Sequence, residues 1–457
     1  MNRIVSWSTV IDVVKSRLVS WKAKNLSIGG RLVLIKSALE NLPIFYFSLY
    51  KVPKKVIESI EAIMRRFLWA GASDEKKIAW VAWDVITKRK KEGGLGVSKL
   101  QSFNDALLLK WAWRFKRERN CLWKKIVIGC HGSSRMWSML PCNQATKECW
   151  KEIVKIGDKK APNGIRFNCF FTVSVGDGND TSFWGDKWLG NEPLRLRFPH
   201  LFRLERKKWV NVAERIQVQQ GVRFMNWEWR SVPSSLEEVN ELFALLADVH
   251  EYKWEEGNDK WKWDPGKDGI FTVKSAKILM SEGLMAGNLQ IVDWRGWTPL
   301  KCKILAWRIG HDRIPTKMNL IKRGMALDSL GCLMCDAGQE STLHLFTGCI
   351  FSTEVWARLE AWCRLSPTML FEVADLVRLT VDQSKSKKEG RIIQSIMYTA
   401  MWVLWNERNA RIFNNKPRRA KEVFENIKIL SFCWIRNRCR HKSVDWNKWC
   451  NYPLDLM

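Results

Sequence analysis

Apolar residues recur at helical spacing through the first quarter of the chain. Ile11, Val14, Leu18 and Trp21 share one face of a helix that Ser8 can cap, with Lys15, Arg17, Lys22 and Lys24 on other faces. After Gly29 and Gly30 the pattern resumes as Leu32, Ile35, Leu39 and Leu42, and Pro43 ends it. A third helix opens at Pro53, which suits a first turn because it has no N–H to leave unbonded, and buries Val56, Ile60, Ile63 and Phe67 before Gly71. A fourth spans about Phe103 to Arg117. Between 165 and 185 the apolar period shortens to two, which predicts a strand, a turn at Gly176 to Asp180 and a returning strand at Thr181 to Trp184, together a hairpin. The stretch WKWDPGKDGIFTVKSAKILM predicts a strand, Pro-Gly and Asp-Gly turns, a second strand and a helix from about Lys274. Two short helices then flank Pro315, with Leu300, Ile304 and Trp307 on one stripe. A polar linker covers Val381 to Gly390 and a last helical pair follows. The expected class is a mainly α chain with a mixed α/β middle, divided at 130, 265, 365 and 390.

Charge adds a direction to this outline. The 457 residues carry 76 Lys and Arg against 47 Asp and Glu, a net +29, so a polyanion is the natural partner. Residues 1–130 hold 26 basic and 10 acidic residues, a net +16, and 296–330 add +5 and 391–457 add +8, whereas 231–295 reverse to −5. The longest largely apolar stretch, Ile396 to Trp405, is about half what a bilayer span of roughly 20 residues requires, so no membrane partner is expected. The N-terminus shows no apolar secretion signal, and 13 cysteines, an odd number, read as thiols of an intracellular protein. The 28 tryptophans belong first to cores.

Four residues stand out as chemistry. Cys332, Cys335, His344 and Cys349 lie within CLMCDAGQESTLHLFTGC. A CxxC turn presents two thiolates to one ion, and a histidine and a cysteine five positions apart can close a tetrahedron. Three sulfurs and one nitrogen suit Zn²⁺ and disfavour hard cations, and four protein ligands leave no open position, so the metal would be structural. Lys88, Arg89, Lys90 and Lys91 precede Gly93-Gly94, but no Gly-Lys-Ser/Thr follows, so this is a basic loop suited to backbone phosphates and not a nucleotide P-loop. Lys301, Lys303, Arg308, Arg313, Lys317, Lys322 and Arg323 interleave with Trp307, which could stack on a base but sits on the apolar stripe, where core packing is its first role. Lys22, Lys24, Arg31 and Lys36 extend the basic set. No Asp-Asp pair, GxSxG or HExxH occurs, and no small-molecule substrate is expected.

Together these segments resemble the region after the palm in reverse transcriptases of plant LINE-type non-LTR retrotransposons. VVKSRLVSWKAKNLSIGGRLVLIKSALENLPIFYFSLYKVPKK, KIAWVAWDVITKRKKEGGLGVSKLQSFNDALLLKWAWRF, FWGDKWLGNEPLRLRFPHLF, the cysteine cluster and WNERNARIF carry the likeness in order. The resemblance implies a thumb-like basic bundle over 1–130, a linker region over 131–265, a reverse-transcriptase zinc-binding domain over 266–365 and, beyond the 366–390 linker, a helical tail. It also implies that Cys332, Cys335, His344 and Cys349 hold structural zinc and that the chain contacts template RNA or target DNA through the backbone. The family's paired catalytic aspartates lie upstream of the matching segment, so no polymerase activity is expected of it, nor an RNase H quartet.

Overall fold

The computed structural model describes residues 4–20, 26–71, 77–131, 140–143, 149–219, 222–281, 292–366, 372–373, 375, 386–439 and 444–454. Trp21, Lys22, Lys24 and most of the 366–390 linker therefore lie outside the described residues. The chain is mainly helical, with two two-stranded antiparallel sheets in its middle. It forms two compact units from interleaved segments: Met1–Asp12, Leu42–Ser59 and Lys99–Met285 in one, and Val13–Asn41, Ile60–Ser98 and Ala286–Met457 in the other. The consecutive divisions at 130, 265, 365 and 390 follow composition along the chain; the units follow contacts between segments distant in sequence.

In the first unit, helix Leu100–Arg117 is the central element and is buried along most of its length. Its Asn104 side chain donates to the Phe47 and Tyr50 carbonyls and accepts from the Val52 amide, closing the end of helix Ile44–Leu49 that Pro53 prevents from continuing. The core beneath it is aromatic: Trp113, Phe115, Trp150, Phe171, Trp263 and Phe271 meet tilted or stacked, with ring centroids 5.0–6.2 Å apart, within the range of favourable aromatic pairs. Part of the abundance of tryptophan is explained here and in a second cluster around Trp184 and Trp188. Lys116 and Asp186 pair at 2.8 Å in the interior, and Asp186 also accepts the Ser182 amide.

The predicted hairpin is not formed. Strand Phe171–Ser174 pairs with Lys260–Trp263, and residues 181–186, almost continuously buried, make a compact turn instead of a returning strand. The reason is Asp259: its carboxylate accepts from the amides of Gly176, Gly178 and Asp180 and from the Thr181 hydroxyl, so the turn is tied to the strand 80 residues on rather than to its own neighbour. Gly178, at φ +69° and with the Ala213 amide 2.8 Å from where a Cβ would stand, fits only without a side chain. The second strand predicted at IFTV is also absent. Thr272 instead caps helix Val273–Ser281, its hydroxyl accepting from the Ser275 amide.

In the second unit, helix Ile28–Leu34 is capped by Ser27 and includes Gly29 and Gly30, with Leu32, Ile35 and Leu39 buried as predicted. Gly29 lets this helix lie on Leu300–Gly310: a Cβ would come within 3.1 Å of the Lys301 nitrogen. Ser8, in the first unit, is by contrast a helical residue whose hydroxyl donates back to the Val5 carbonyl instead of capping. Helix Lys387–Asn414 runs through the centre of the unit, flanked by Leu300–Gly310 and Ala420–Arg438. It starts at Lys387 because Ser386 accepts from the Glu389 amide, so the end of the predicted linker is its first turn. No described helix is long and apolar enough to cross a membrane.

Replacing Asp259 by Ala leaves three amides and a hydroxyl without their acceptor. The expected loss is roughly 2–4 kcal/mol of unfolding free energy, with Asp259→Asn, which keeps one acceptor oxygen, losing less. Urea titration followed by tryptophan emission measures both; equal stability of wild type and Asp259→Ala would refute the role given to this carboxylate.

Candidate metal centre

The CxxC turn is built before any ligand side chain is considered. Gly331 and Gln339 form an isolated antiparallel bridge, and the Cys332 amide donates to the Gly338 carbonyl at 3.0 Å. The Asp336 amide donates back to the Cys332 carbonyl at 2.8 Å, folding the loop into a knuckle. Its reversal needs left-handed backbone at Asp336 and Gly338, at φ +53° and +79°. His344 opens the short helical turn His344–Gly348, with its amide bonded to the Ser341 hydroxyl. Cys349 stands at the N-cap of helix Ile350–Cys363.

These elements bring Cys332, Cys335, His344 and Cys349 together, their ligand atoms all within 4.8 Å of one another. Tetrahedral ligation at about 2.3 Å for sulfur and 2.0 Å for nitrogen asks for ligand separations of roughly 3.5 to 4 Å, so a small closure completes the geometry. Nε2 of His344 faces the Cys335 sulfur at 3.3 Å. Cys332 and Cys349 are buried and the other two half-buried. The hydrogen bond from Cys332, with the Ser352 and Phe351 amides at the helix start, holds the Cys349 thiol below its ordinary range against the effect of burial. The same bond pushes Cys332 up. Among the described residues this is the one group of three or more histidine, cysteine or acidic side chains close enough to share an ion. The donor set, three soft sulfurs and an imidazole, fits zinc. Among the described residues no two cysteines are joined by a disulfide.

Residues that the sequence did not single out hold this loop in place. Glu340, fully buried between Cys335 and His344, accepts from Arg408 Nε at 3.1 Å and Nη2 at 2.5 Å, and from the Lys317 amide at 3.0 Å. Arg411, one turn further along the same helix, donates to the carbonyls of Leu333 and Met334, the two residues inside the CxxC turn. Glu407 orders Arg411 in return and accepts from Arg418 as well. The available signal was WNERNARIF, which places Glu407, Arg408 and Arg411 on adjacent helical turns.

The basic residues disperse into different environments. Arg31 donates to the Trp69 carbonyl, and burial pushes its guanidinium down. Lys36 donates to the Leu95 carbonyl. In the Lys88–Gly96 loop, Lys88 is half-buried, Arg89 pairs with Glu92, Lys90 lies over Trp294 at 4.9 Å and Lys91 is exposed. Gly94 is required there, because a Cβ would fall 2.1 Å from the Lys88 oxygen. The Gly93 carbonyl accepts from Trp307 Nε1 at 2.7 Å, and Trp307 is 1% exposed, so its role is core packing.

Along the next segment, Lys301 lies over Trp402 at 4.7 Å, whereas Lys303 is buried, donating to the Trp294 and Gly296 carbonyls, with burial pushing it down to about 8. Arg308 sits against Trp69 and Trp80, donates to the Arg313 carbonyl and is pushed down to about 10 by burial. Lys317 donates to the Gly331 carbonyl, next to the CxxC knuckle. Arg313, Lys322 and Arg323 are exposed at the surface, Lys322 beside Asp312 at 3.6 Å and Arg323 bonded to the Ala79 and Trp80 carbonyls.

Residues 271–356, which contain all four cluster residues, match the family described as zinc-binding in reverse transcriptase. A protein of Arabidopsis thaliana with a provisional ribonuclease H name is 26% identical over 366 residues, 78% of this chain and 56% of that protein. The chain therefore spans little more than half of that relative's length. An uncharacterized mitochondrial protein of Arabidopsis thaliana is 29% identical over 154 residues, 33% of this chain and 94% of that protein. These matches bear out the resemblance to the C-terminal region of a retrotransposon reverse transcriptase.

Removing one partner of the buried pair strands a charge. Arg408→Met or Glu340→Leu is expected to cost roughly 3–5 kcal/mol, while the double change Glu340→Leu with Arg408→Met recovers most of it, because two apolar side chains strand no charge. Denaturation midpoints of the two singles and the double check this; strictly additive losses would contradict it.

Proposed function

We propose that this chain is the zinc-stabilised, nucleic-acid-holding C-terminal portion of a non-LTR retrotransposon reverse transcriptase, and that its own residues carry no polymerase centre. The single observation that carries the reading is the convergence of three thiols and one imidazole inside the stretch matched by the reverse-transcriptase zinc-binding family. Cys332, Cys335, His344 and Cys349 would hold the ion, which when bound would supply a cross-link between these segments and leave no vacant position for substrate. The chain's own residues do the rest. Cys332 and Cys335 fix the knuckle, Cys349 anchors it to helix Ile350–Cys363, and the Arg408–Glu340 pair sets the knuckle on the central helix.

Binding of nucleic acid follows from net charge and exposure. Lys91, Arg313, Lys322 and Arg323 present cationic groups at the surface, and phosphates require charge at approximate spacing rather than exact geometry. Lys303, buried on two carbonyls, serves the fold in this reading. The ribonuclease H name of the larger relative suggests nuclease chemistry as an alternative. Two-metal phosphoryl chemistry needs convergent carboxylates, and among the described residues the one metal-capable group is sulfur-rich, which favours the binding reading.

Purified protein is expected to contain one zinc per chain by elemental analysis, and Cys335→Ser to lose it with a lowered melting temperature. Metal-free, well-folded wild type would remove the zinc from the reading. Gel shifts with single-stranded RNA and duplex DNA should weaken by about 10³-fold between roughly 50 and 200 mM salt if about six phosphates are contacted. Lys91→Glu or Arg313→Glu should weaken all sequences alike and lower the salt slope by about one. Salt-independent binding, or primer extension lost by a point change within this chain, would overturn the proposal.

A further inference from the structure

Helix Leu236–Glu251 has two apolar faces. Leu245 and Val249 are buried, and Leu242 packs against the same core. On the other side Leu236 and Phe243 are 74% and 68% exposed, with Leu246 at 36%, a seam at i, i+7 and i+10 of the kind that pairs helices. Exposed Glu237 stands beside Leu236 at the start of that seam and forms no ion pair among the described residues. This helix lies in the acidic stretch of an otherwise basic chain.

A face of opposite character is exposed in the same compact unit. Helix Leu122–His131 presents Leu122 and Ile126, 73% and 56% exposed, with Lys125 exposed beside them. Gly129 continues the stripe at i+7, and the space where its Cβ would stand is open, so a second helix can approach closely. Leu122 to Gly129 and Leu236 to Phe243 are both seven residues, about 10.5 Å of helix, so the two stripes match in length.

We propose that helix Leu122–His131 of one copy packs on helix Leu236–Glu251 of a second copy, apolar stripe against apolar seam with Lys125 facing Glu237. The contact is heterologous. Each pair leaves one face of each kind open, so association continues to larger assemblies or closes as a ring. The net charge of +29 opposes association, so salt that shortens the Debye length, about 8 Å at 0.15 M, favours it.

The test is sedimentation equilibrium on nuclease-treated full-length protein. The wild-type mass should rise above 53.5 kDa with concentration. Phe243→Asp and Ile126→Asp should each sediment as monomers, because each lacks one half of the contact. Mixed together they should form a one-to-one dimer and nothing larger, since only one intact pair of faces remains. Both positions are exposed, so their circular dichroism and melting should match wild type; Leu236→Asp and Leu122→Asp are a second pair with the same expected outcome. A monomeric wild type, association lost in only one of the two variants, or a mixture that stays monomeric would each overturn the proposal.

Discussion

The second unit depends on one buried ion pair. Glu340 and Arg408 are 68 residues apart, both almost without solvent contact, and satisfy each other with multiple hydrogen bonds. Removing two charges from water is costly, and in such an interior the cost is offset only where every remaining lone pair and proton has a partner. That is largely so here: Glu340 takes the Lys317 amide as well, and each guanidinium nitrogen of Arg408 has an acceptor, the Pro315 carbonyl and the Asn409 side chain adding to Glu340. The pair therefore fixes three things at once. It fixes the start of helix Lys317–Ile321, the loop that carries the metal-binding side chains, and the register of the central helix. A shift of that helix by one residue would turn Arg408 by about 100° and break all of them.

That constraint also explains how the cysteine cluster holds its shape. The CxxC knuckle is short and has little core of its own, so its position must come from outside it. Here the outside contribution is made by backbone carbonyls as much as by side chains: Arg411 reads the Leu333 and Met334 carbonyls, and Lys317 reads Gly331. Cationic side chains are well suited to this because a loop that turns in left-handed backbone leaves carbonyls without amide partners. A substantial part of the basic excess is thus employed internally. Lys303 and Arg308 make the same point, one held by carbonyls and the other by two indole faces, and in both burial lowers the pKa.

What could be read from the sequence divides along a physical line. Helices whose apolar residues repeat within one stretch were legible, because the information that forms them is local: Val56, Ile60 and Phe67 are buried on helix Lys54–Ala70, and Gly71 stops it at φ +74°. The metal-binding group was legible for a related reason, since its four residues fall within 18 positions and their chemistry is restrictive. The hairpin at 171–184 was misread because its turn residues bond to Asp259, and alternation of side chains cannot indicate which distant strand will pair. IFTV was misread because the backbone bonds of a threonine at a helix start outweigh β propensity. Glu340 and Arg408 were invisible for the same non-local reason. Each looks like an ordinary charged residue until the fold buries both.

Charge counted along a chain and charge available at its surface are different quantities, and the difference shapes what this chain can do. Of the Lys88–Lys91 run, Arg89 is paired with Glu92 and Lys90 lies over an indole, so the cluster that looks densest in sequence offers mainly Lys91 to solvent. Gly94 does not cradle a ligand there; it lets the backbone pass the Lys88 carbonyl so that Gly93 can accept from Trp307. A surface that retains scattered cations over a framework rigidified by buried ones suits a polyanion with regularly repeated charge better than a compact anion, because scattered groups can each meet one phosphate whereas a small anion needs several converging on it. In the binding reading the cross-linked knuckle then has a purpose beyond stability. It holds Arg313, Lys322 and Arg323, all within the segment that Glu340 and Lys317 tie down, at fixed separations, so that ordering them costs little entropy when the polyanion arrives.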